Sequence, residues 1–227
     1  MEKTDAGWGQ KEAVAQQTCI YCGEAVGVVA EQTDEQTVCS VCRSKSVSDL
    51  IFSYCLITKS KNPVEIANVL MNFPDFKMHC PEHHFLVPAV LLSAYCNTKR
   101  KRTRLKRLLI AAKKRSEKVP GAFCGTHGSC GAAVGTGIFI SLITGATPMK
   151  TIEWNLSNSM TGRSLLRMAS YGGPRCCKRV TFLAIHETGR FLYERLGISL
   201  PVPEKISCSF SHTNEQCLKD NCPFYAE

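Results

Sequence analysis

Gly121-Ala-Phe-Cys124-Gly125-Thr-His127-Gly128-Ser-Cys130-Gly131-Ala-Ala-Val-Gly135-Thr-Gly137-Ile-Phe-Ile-Ser-Leu-Ile143 joins a glycine loop to an apolar run. Gly125, Gly128 and Gly131 recur at every third residue, which permits a tight loop with free backbone N–H groups. Beyond Cys130 the chain stays small on one side as far as Gly137 and then turns apolar. Such a run predicts a helix over Cys130–Thr144, pressed backbone-close against a neighbour. Its N-terminus would carry partial positive charge and unpaired N–H donors, which favour anions and thiolates. Cys124 and Cys130 are therefore where deprotonated sulfur is expected. The plainer alternative is close helix packing with two incidental thiols.

Breakers on either side cut the chain into further helical lengths. Pro74, Pro120-Gly121, Gly145 with Pro148, Gly172-Gly173-Pro174 and Gly197 bound them. Helices are expected near Pro63–Asn72, His84–Asn97, Thr98–Lys118, Ser157–Ser170 and Arg175–Leu196, and alternating strand patterns are scarce. Asn62-Pro63 is a good N-cap followed by proline at N1. The fold class is mainly α, a helical domain preceded by a small zinc-ribbon-like module. The expected divisions are a flexible tail (1–17), the module (18–44), a connector (45–61) and a cysteine-rich helical domain (62–227).

The chain has 28 lysines and arginines against 19 acids, a net charge of +9. Eleven of those bases lie in Lys99–Lys118 beside one acid, Glu117, which leaves the remainder nearly neutral. Leu105, Leu108, Leu109 and Ala112 form one apolar helix stripe there, with Lys106, Arg107, Lys113 and Lys114 opposite. This is either a solvated surface helix or a contact for nucleic acid or an acidic protein. No aromatic residue is interleaved for base stacking.

Fourteen of the 227 residues are cysteine. No run reaches the ~18 apolar residues of a membrane span, and residues 1–17 lack a signal peptide's apolar core. A cytoplasmic location is expected, where thiols serve as metal ligands, reactive groups or fillers rather than disulfides. Neither a membrane partner nor a secreted disulfide scaffold fits.

Cys19-Ile-Tyr-Cys22 and Cys39-Ser-Val-Cys42 are two Cys-x-x-Cys pairs at zinc-ribbon separation. Each pair bends into a knuckle, and two facing knuckles complete a tetrahedral S₄ shell. Zinc is the default occupant; a single iron or redox thiols are the alternatives. A closed shell folds the module and does not catalyse.

Cys55 and Cys96 sit alone in apolar surroundings and read as fillers. Cys80, in His79-Cys80-Pro81-Glu82-His83-His84, is either a zinc or iron ligand or part of a capped helix start. Gly172-Gly173-Pro174-Arg175-Cys176-Cys177-Lys178-Arg179 places two thiols in a first helical turn among bases, which again favours thiolate. Two loops delivering cysteine to helix N-termini suggest one shared site for a soft metal. In the tail, Cys208, His212, Cys217 and Cys222 can close a Cys₃His zinc site, or some of them join the core cluster.

From Cys80 through Cys124–Gly137 and Cys176-Cys177 to Cys208–Cys222, the chain resembles an uncharacterised domain family of anaerobic bacteria and archaea, sometimes fused to methyltransferases. A weaker similarity is to the iron–sulfur serine dehydratases and cysteine desulfidases. It rests on Cys130-Gly-Ala-Ala-Val134-Gly135 and Pro174-Arg-Cys176-Cys177-Lys-Arg179. That group has a further cysteine shortly before the second motif; residues 157–175 contain none, and Cys80 or Cys124 would substitute. This similarity implies a [4Fe–4S] cluster held by three cysteines, with the fourth iron a Lewis acid towards a small anionic substrate. It further implies that amides near Gly125, Gly128 and Gly131 hold a carboxylate, and that His127 or Lys178 acts as general base.

Three functions compete on these residues. The first is a metalloprotein of lyase or sulfur-handling type. The second is a non-enzymatic zinc-module protein binding nucleic acid or a protein partner. The third is a thiol relay through Cys176-Cys177 or Cys124 and Cys130.

Overall fold

The computed structural model describes residues 15–28 and 37–226. The chain divides into a unit ending at Lys45 and a second unit, Ser46–Glu227. The expected tail lies outside the described residues up to position 14; residues 15–17 belong to a strand.

In the first unit β1 (Ala15–Thr18) pairs antiparallel with β2 (Ala25–Val28), Thr18 opposite Ala25. The turn between them is closed by the Gly23 N–H on the Cys19 carbonyl (2.8 Å), with Gly23 at φ +75°. That left-handed conformation suits glycine at the knuckle's tip. The second knuckle leads into a single turn, α1 (Ser40–Arg43).

The second unit is built around a helix that is apolar on every side. It comprises α2 (Val47–Ile57), α3 (Pro63–Met71), α4 (Glu82–Thr98), α5 (Leu105–Ser116), α6 (Phe123–Thr126), α7 (Gly131–Thr144), α8 (Thr151–Ala169) and α9 (Cys177–Leu196). Every residue of α4 from Phe85 to Asn97 is buried, and the helix touches α2, α3, α5, α7 and α9. An all-apolar helix can only be an interior one.

The caps follow from the residues that precede them. Asn62 Oδ1 accepts from the N–H groups of Val64 (3.0 Å) and Glu65, and Ser46 Oγ accepts from Asp49 (3.1 Å). Each satisfies amides that would otherwise lack a partner in the first turn.

The expected backbone-close packing of α7 is present. A Cβ at Gly135 would lie 2.8 Å from Pro88 Cδ and 3.0 Å from the His84 carbonyl. Pro88 has no N–H to give that carbonyl, so α7 can sit directly on the gap in the α4 ladder. On its other side Gly137 faces Ser157 and Thr161 of α8.

Three expectations change. Within the expected connector, residues 45–61, α2 (Val47–Ile57) forms a helix that was not anticipated and buries Leu50, Ile51 and Cys55. The helix expected over Thr98–Lys118 is interrupted. The chain turns at Lys99–Lys101 with Arg100 at φ 54°, then passes through a 3₁₀ turn, Arg102–Arg104, into α5. Arg102 causes the turn by reaching inward to the carbonyls of Thr58 (2.7 Å) and Leu56 and to the Asn97 side chain. Finally, α8 begins at Thr151, six residues before the expected Ser157. Among the described residues no helix is long and apolar enough to cross a membrane.

Candidate metal centres

In the first unit the sulfurs of Cys19, Cys22, Cys39 and Cys42 all lie within 4.8 Å of one another, and Cys22 and Cys39 are 3.6 Å apart. A tetrahedron with bonds of about 2.3 Å has edges of about 3.8 Å, so the four could hold one metal ion. The knuckles supply N–H groups to sulfur, as in the Cys42 amide on Cys39 Sγ (3.3 Å). Burial pushes the Cys19 thiol up, but the amides of Cys39, Tyr21 and Cys22 outweigh it and bring it down to about 7. Cys42 is driven up by burial and by its three cysteine neighbours. Four thiolates at this distance require a cation between them.

In the second unit Cys55 and Cys96 are wholly buried, as fillers should be. Three other cysteines lie at helix starts that pack together. Cys80 precedes α4, Cys130 is the N-cap of α7, and Cys177 opens α9. Cys177 lies near the Cys80 backbone and within electrostatic reach of Cys130, which in turn is within reach of Cys124. Cys80 Sγ lies 3.3 Å from Nδ1 of the buried His83.

Burial works against thiolate at these groups. Burial holds Cys80 up at about 12 and Cys177 at about 11, and raises Cys130 despite amides from Ala132 and Ala133. At Cys130 and Cys177 desolvation opposes the thiolate that the helix ends were expected to favour. Deprotonation there requires a metal.

The glycine loop divides. Gly125 and Gly128 are exposed, whereas Gly131 is buried under the His84 ring, which a side chain at that position would overlap. His127 is exposed on the loop, stacked on Phe123 at 4.2 Å and 2.8 Å from Thr126 Oγ1.

Lys178 is 1 % exposed. Its ammonium lies over the rings of Phe76 (4.5 Å) and Phe210 (4.8 Å) and donates to the Met71 carbonyl at 3.3 Å. Among the described residues it forms no ion pair with a carboxylate. Burial lowers it to about 8, against the pull of Cys80, Cys177, Cys176 and Cys208.

Cys176 and Cys177, adjacent in sequence, face different surroundings. Cys176 lines a small cavity with Cys208, Cys217 and Cys222, while His212 is exposed and takes no part. Nothing in the sequence marks Cys176, at the start of α9, as sharing this cavity with the three tail cysteines, because no motif signals which way a helix start is turned.

The apolar stripe of α5 is buried as expected. Of the basic residues, Lys113 is tied to Asp49 (2.7 Å) and Arg102 is turned inward. Arg100, Lys101, Arg104, Lys106, Arg107, Lys114 and Lys118 are exposed and make no ion pair among the described residues.

No curated protein and no solved structure matches this chain. A family of unknown function, DUF5714, matches residues 51–225, which takes in α4, α7, α9 and every cysteine of the helical unit. The chain belongs to that family.

Proposed function

We propose that the protein is a metalloprotein of a reducing compartment, with a structural zinc in the ribbon and a thiolate-bound iron–sulfur centre in the helical unit. Cys80, Cys130 and Cys177 are the ligands of that centre, with Cys124 at its rim. The observation that carries the reading is that Cys80, Cys130 and Cys177 stand at the starts of α4, α7 and α9, three helices that pack on one another, with the buried Lys178 near Cys80 and Cys177. The donor set fits a soft metal. Three thiols held protonated by burial gain most from a cation that displaces their protons.

Three protein ligands leave a coordination position open, and a bound cluster would supply a Lewis-acidic iron towards a substrate hydroxyl or thiol. The chain's own residues orient and balance the site. The amides of Ala132 and Ala133 at the start of α7 lower the cost of charge on Cys130, and the Cys80 backbone does the same for Cys177. The amides of Gly125, Thr126 and His127 already donate to the Ala122 and Phe123 carbonyls, which leaves the exposed Gly128 as the loop position to meet a small anionic substrate such as a carboxylate. His127, exposed on the same loop, is the proton acceptor of choice. Lys178 is assigned a charge-balancing role rather than that of a general base, because its amine is walled in by two rings. The reaction class this supports is a lyase or sulfur-handling step. An oxygen-free host, the setting the sequence resemblance implies, would keep such a site intact.

Anoxic purification with iron, sulfide and zinc counted per chain tests the reading. Brown protein with iron and sulfide in near-equal amounts is expected, and Cys130→Ala should lose most of the visible absorbance from this centre. Zinc as the sole metal would refute the cluster.

A second reading rests on the exposed cations of the stretch Lys99–Lys118, which suit nucleic acid or an acidic protein. Binding to duplex DNA that weakens steeply with salt, and is abolished by Lys106→Glu with Arg107→Glu, would support it. Salt-independent or absent binding would end it.

A further inference from the structure

We propose that Cys176, Cys208, Cys217 and Cys222 hold a second metal centre, an iron–sulfur cluster fully ligated by the protein and separate from the one at Cys80, Cys130 and Cys177. It rests in part on the metalloprotein reading above, but on different residues.

The four sulfurs line one small cavity whose remaining wall is largely apolar, with Met78, Phe210, Leu218 and Phe224. Three of the four already accept N–H groups. The Arg179 amide and Asn214 Nδ2 each lie 3.4 Å from Cys176 Sγ. The Phe210 amide is 3.4 Å from Cys208 Sγ, and the Lys219 amide is 3.4 Å from Cys217 Sγ. Donors aimed at sulfur from the surrounding backbone are the outer-shell support that metal-bound thiolates use.

A buried cation supplies a further indication. Arg179 lines the cavity and is 4 % exposed; its Nη2 donates to the carbonyls of Gly172 (2.9 Å) and Pro174 (2.8 Å), but its Nε keeps no partner. It has no carboxylate partner among the described residues. A buried cation without an acid is costly unless an anion is close. A divalent core with four thiolates has net charge −2 and answers it.

Spacing separates this centre from the ribbon's. The ribbon sulfurs gather within 4.8 Å, whereas no three of these four do. A single ion draws its ligands to about 3.8 Å edges, but a cubane binds each thiolate to a different iron and so keeps them farther apart. Full ligation leaves no iron free for substrate. The role is to fasten the C-terminal segment, which has only two 3₁₀ turns and a bridge from Cys208 to Tyr225, onto the start of α9.

The full chain is purified without oxygen, and iron and sulfide are counted. Two clusters predict about eight irons per chain. Cys208→Ser with Cys217→Ser should remove about half and leave the part that Cys130→Ala removes. If iron is unchanged in the double variant, or zinc replaces iron at these positions, the proposal fails while the Cys130 centre can stand. If only Cys130→Ala leaves iron intact, the converse holds. Should the double variant not fold, Asn214→Leu keeps every ligand. It should make the midpoint potential of one of the two clusters more negative, and identical potentials in variant and wild type would remove Cys176 from the ligand set.

Discussion

At Gly135 two opposing effects of a single methyl group can be weighed. Alanine in a helix interior is favoured over glycine by about 1 kcal/mol. Here the added Cβ would meet Pro88 Cδ at 2.8 Å and the His84 carbonyl at 3.0 Å, and overpacking of this kind costs roughly 1–3 kcal/mol. Gly135→Ala is therefore expected to lower stability by up to about 2 kcal/mol in urea denaturation. Gly162, in α8, has nothing within 4 Å of such a Cβ, so Gly162→Ala should gain up to about 1 kcal/mol. If both changes stabilise, the contact between α7 and α4 is looser than described. Lys178 allows a test by sign. Its ammonium has two ring faces, one carbonyl and no acid among the described residues, so in metal-free protein Lys178→Met should be neutral or stabilising. In anoxically loaded protein the same change should reduce the iron retained, because the cation opposite the thiolates is gone. Equal effects in both states would detach Lys178 from the metal chemistry. The division between Cys176 and Cys177 could not be read in advance, since adjacent letters give no sign of which way a helix start is turned. The glycine spacing could, because only a close approach explains a helix so poor in side chains.

Helices were legible where local chemistry announces an end. Asn62-Pro63, Gly145 and Gly197 bracket α3, α7 and α9, and the structure places the caps there. The α2 helix was read as a connector because its signals are brief: a Ser46 cap, Asp49 in the first turn, and three buried residues whose partners lie far along the chain. The break between α4 and α5 has no proline or glycine and is set by a long-range contact instead. Arg102 ties its guanidinium to the Leu56 and Thr58 carbonyls and to Asn97, three acceptors at or beyond the end of α2. A buried acceptor that loses a charged donor costs about 1.5–3 kcal/mol, with the higher end expected where three lose it together. Arg102→Met should thus lower the unfolding free energy by about 2–3 kcal/mol, whereas Lys101→Met, at an exposed side chain, should move it by less than about 0.5 kcal/mol. Similar effects at both positions would mean that the turn between α4 and α5 does not depend on Arg102.

The two units differ in what holds them together. The helical unit has an interior helix, α4, buried from Phe85 to Asn97, and cohesion of that kind does not need a metal. In the first unit the described buried apolar residues are Cys19, Tyr21 and Cys42, and its sheet is one hairpin of four residue pairs. A hairpin of this size is marginal by itself in water, so its folding free energy must come from the ion that four thiolates can bind. Hydrogen exchange should resolve the difference within one sample. With metal bound, the amides of Cys19, Ile20 and Gly23, which donate to the carbonyls of Glu24, Thr37 and Cys19, should be protected. On removal of zinc by a strong chelator under reducing conditions, these three should exchange at rates near those of an unfolded chain. The interior amides of α4 should keep their protection. Persisting protection in the metal-free knuckles would show a fold that stands without its ion. Loss of protection in α4 at the same chelator concentration would show instead that the ribbon's ion also stabilises the helical unit.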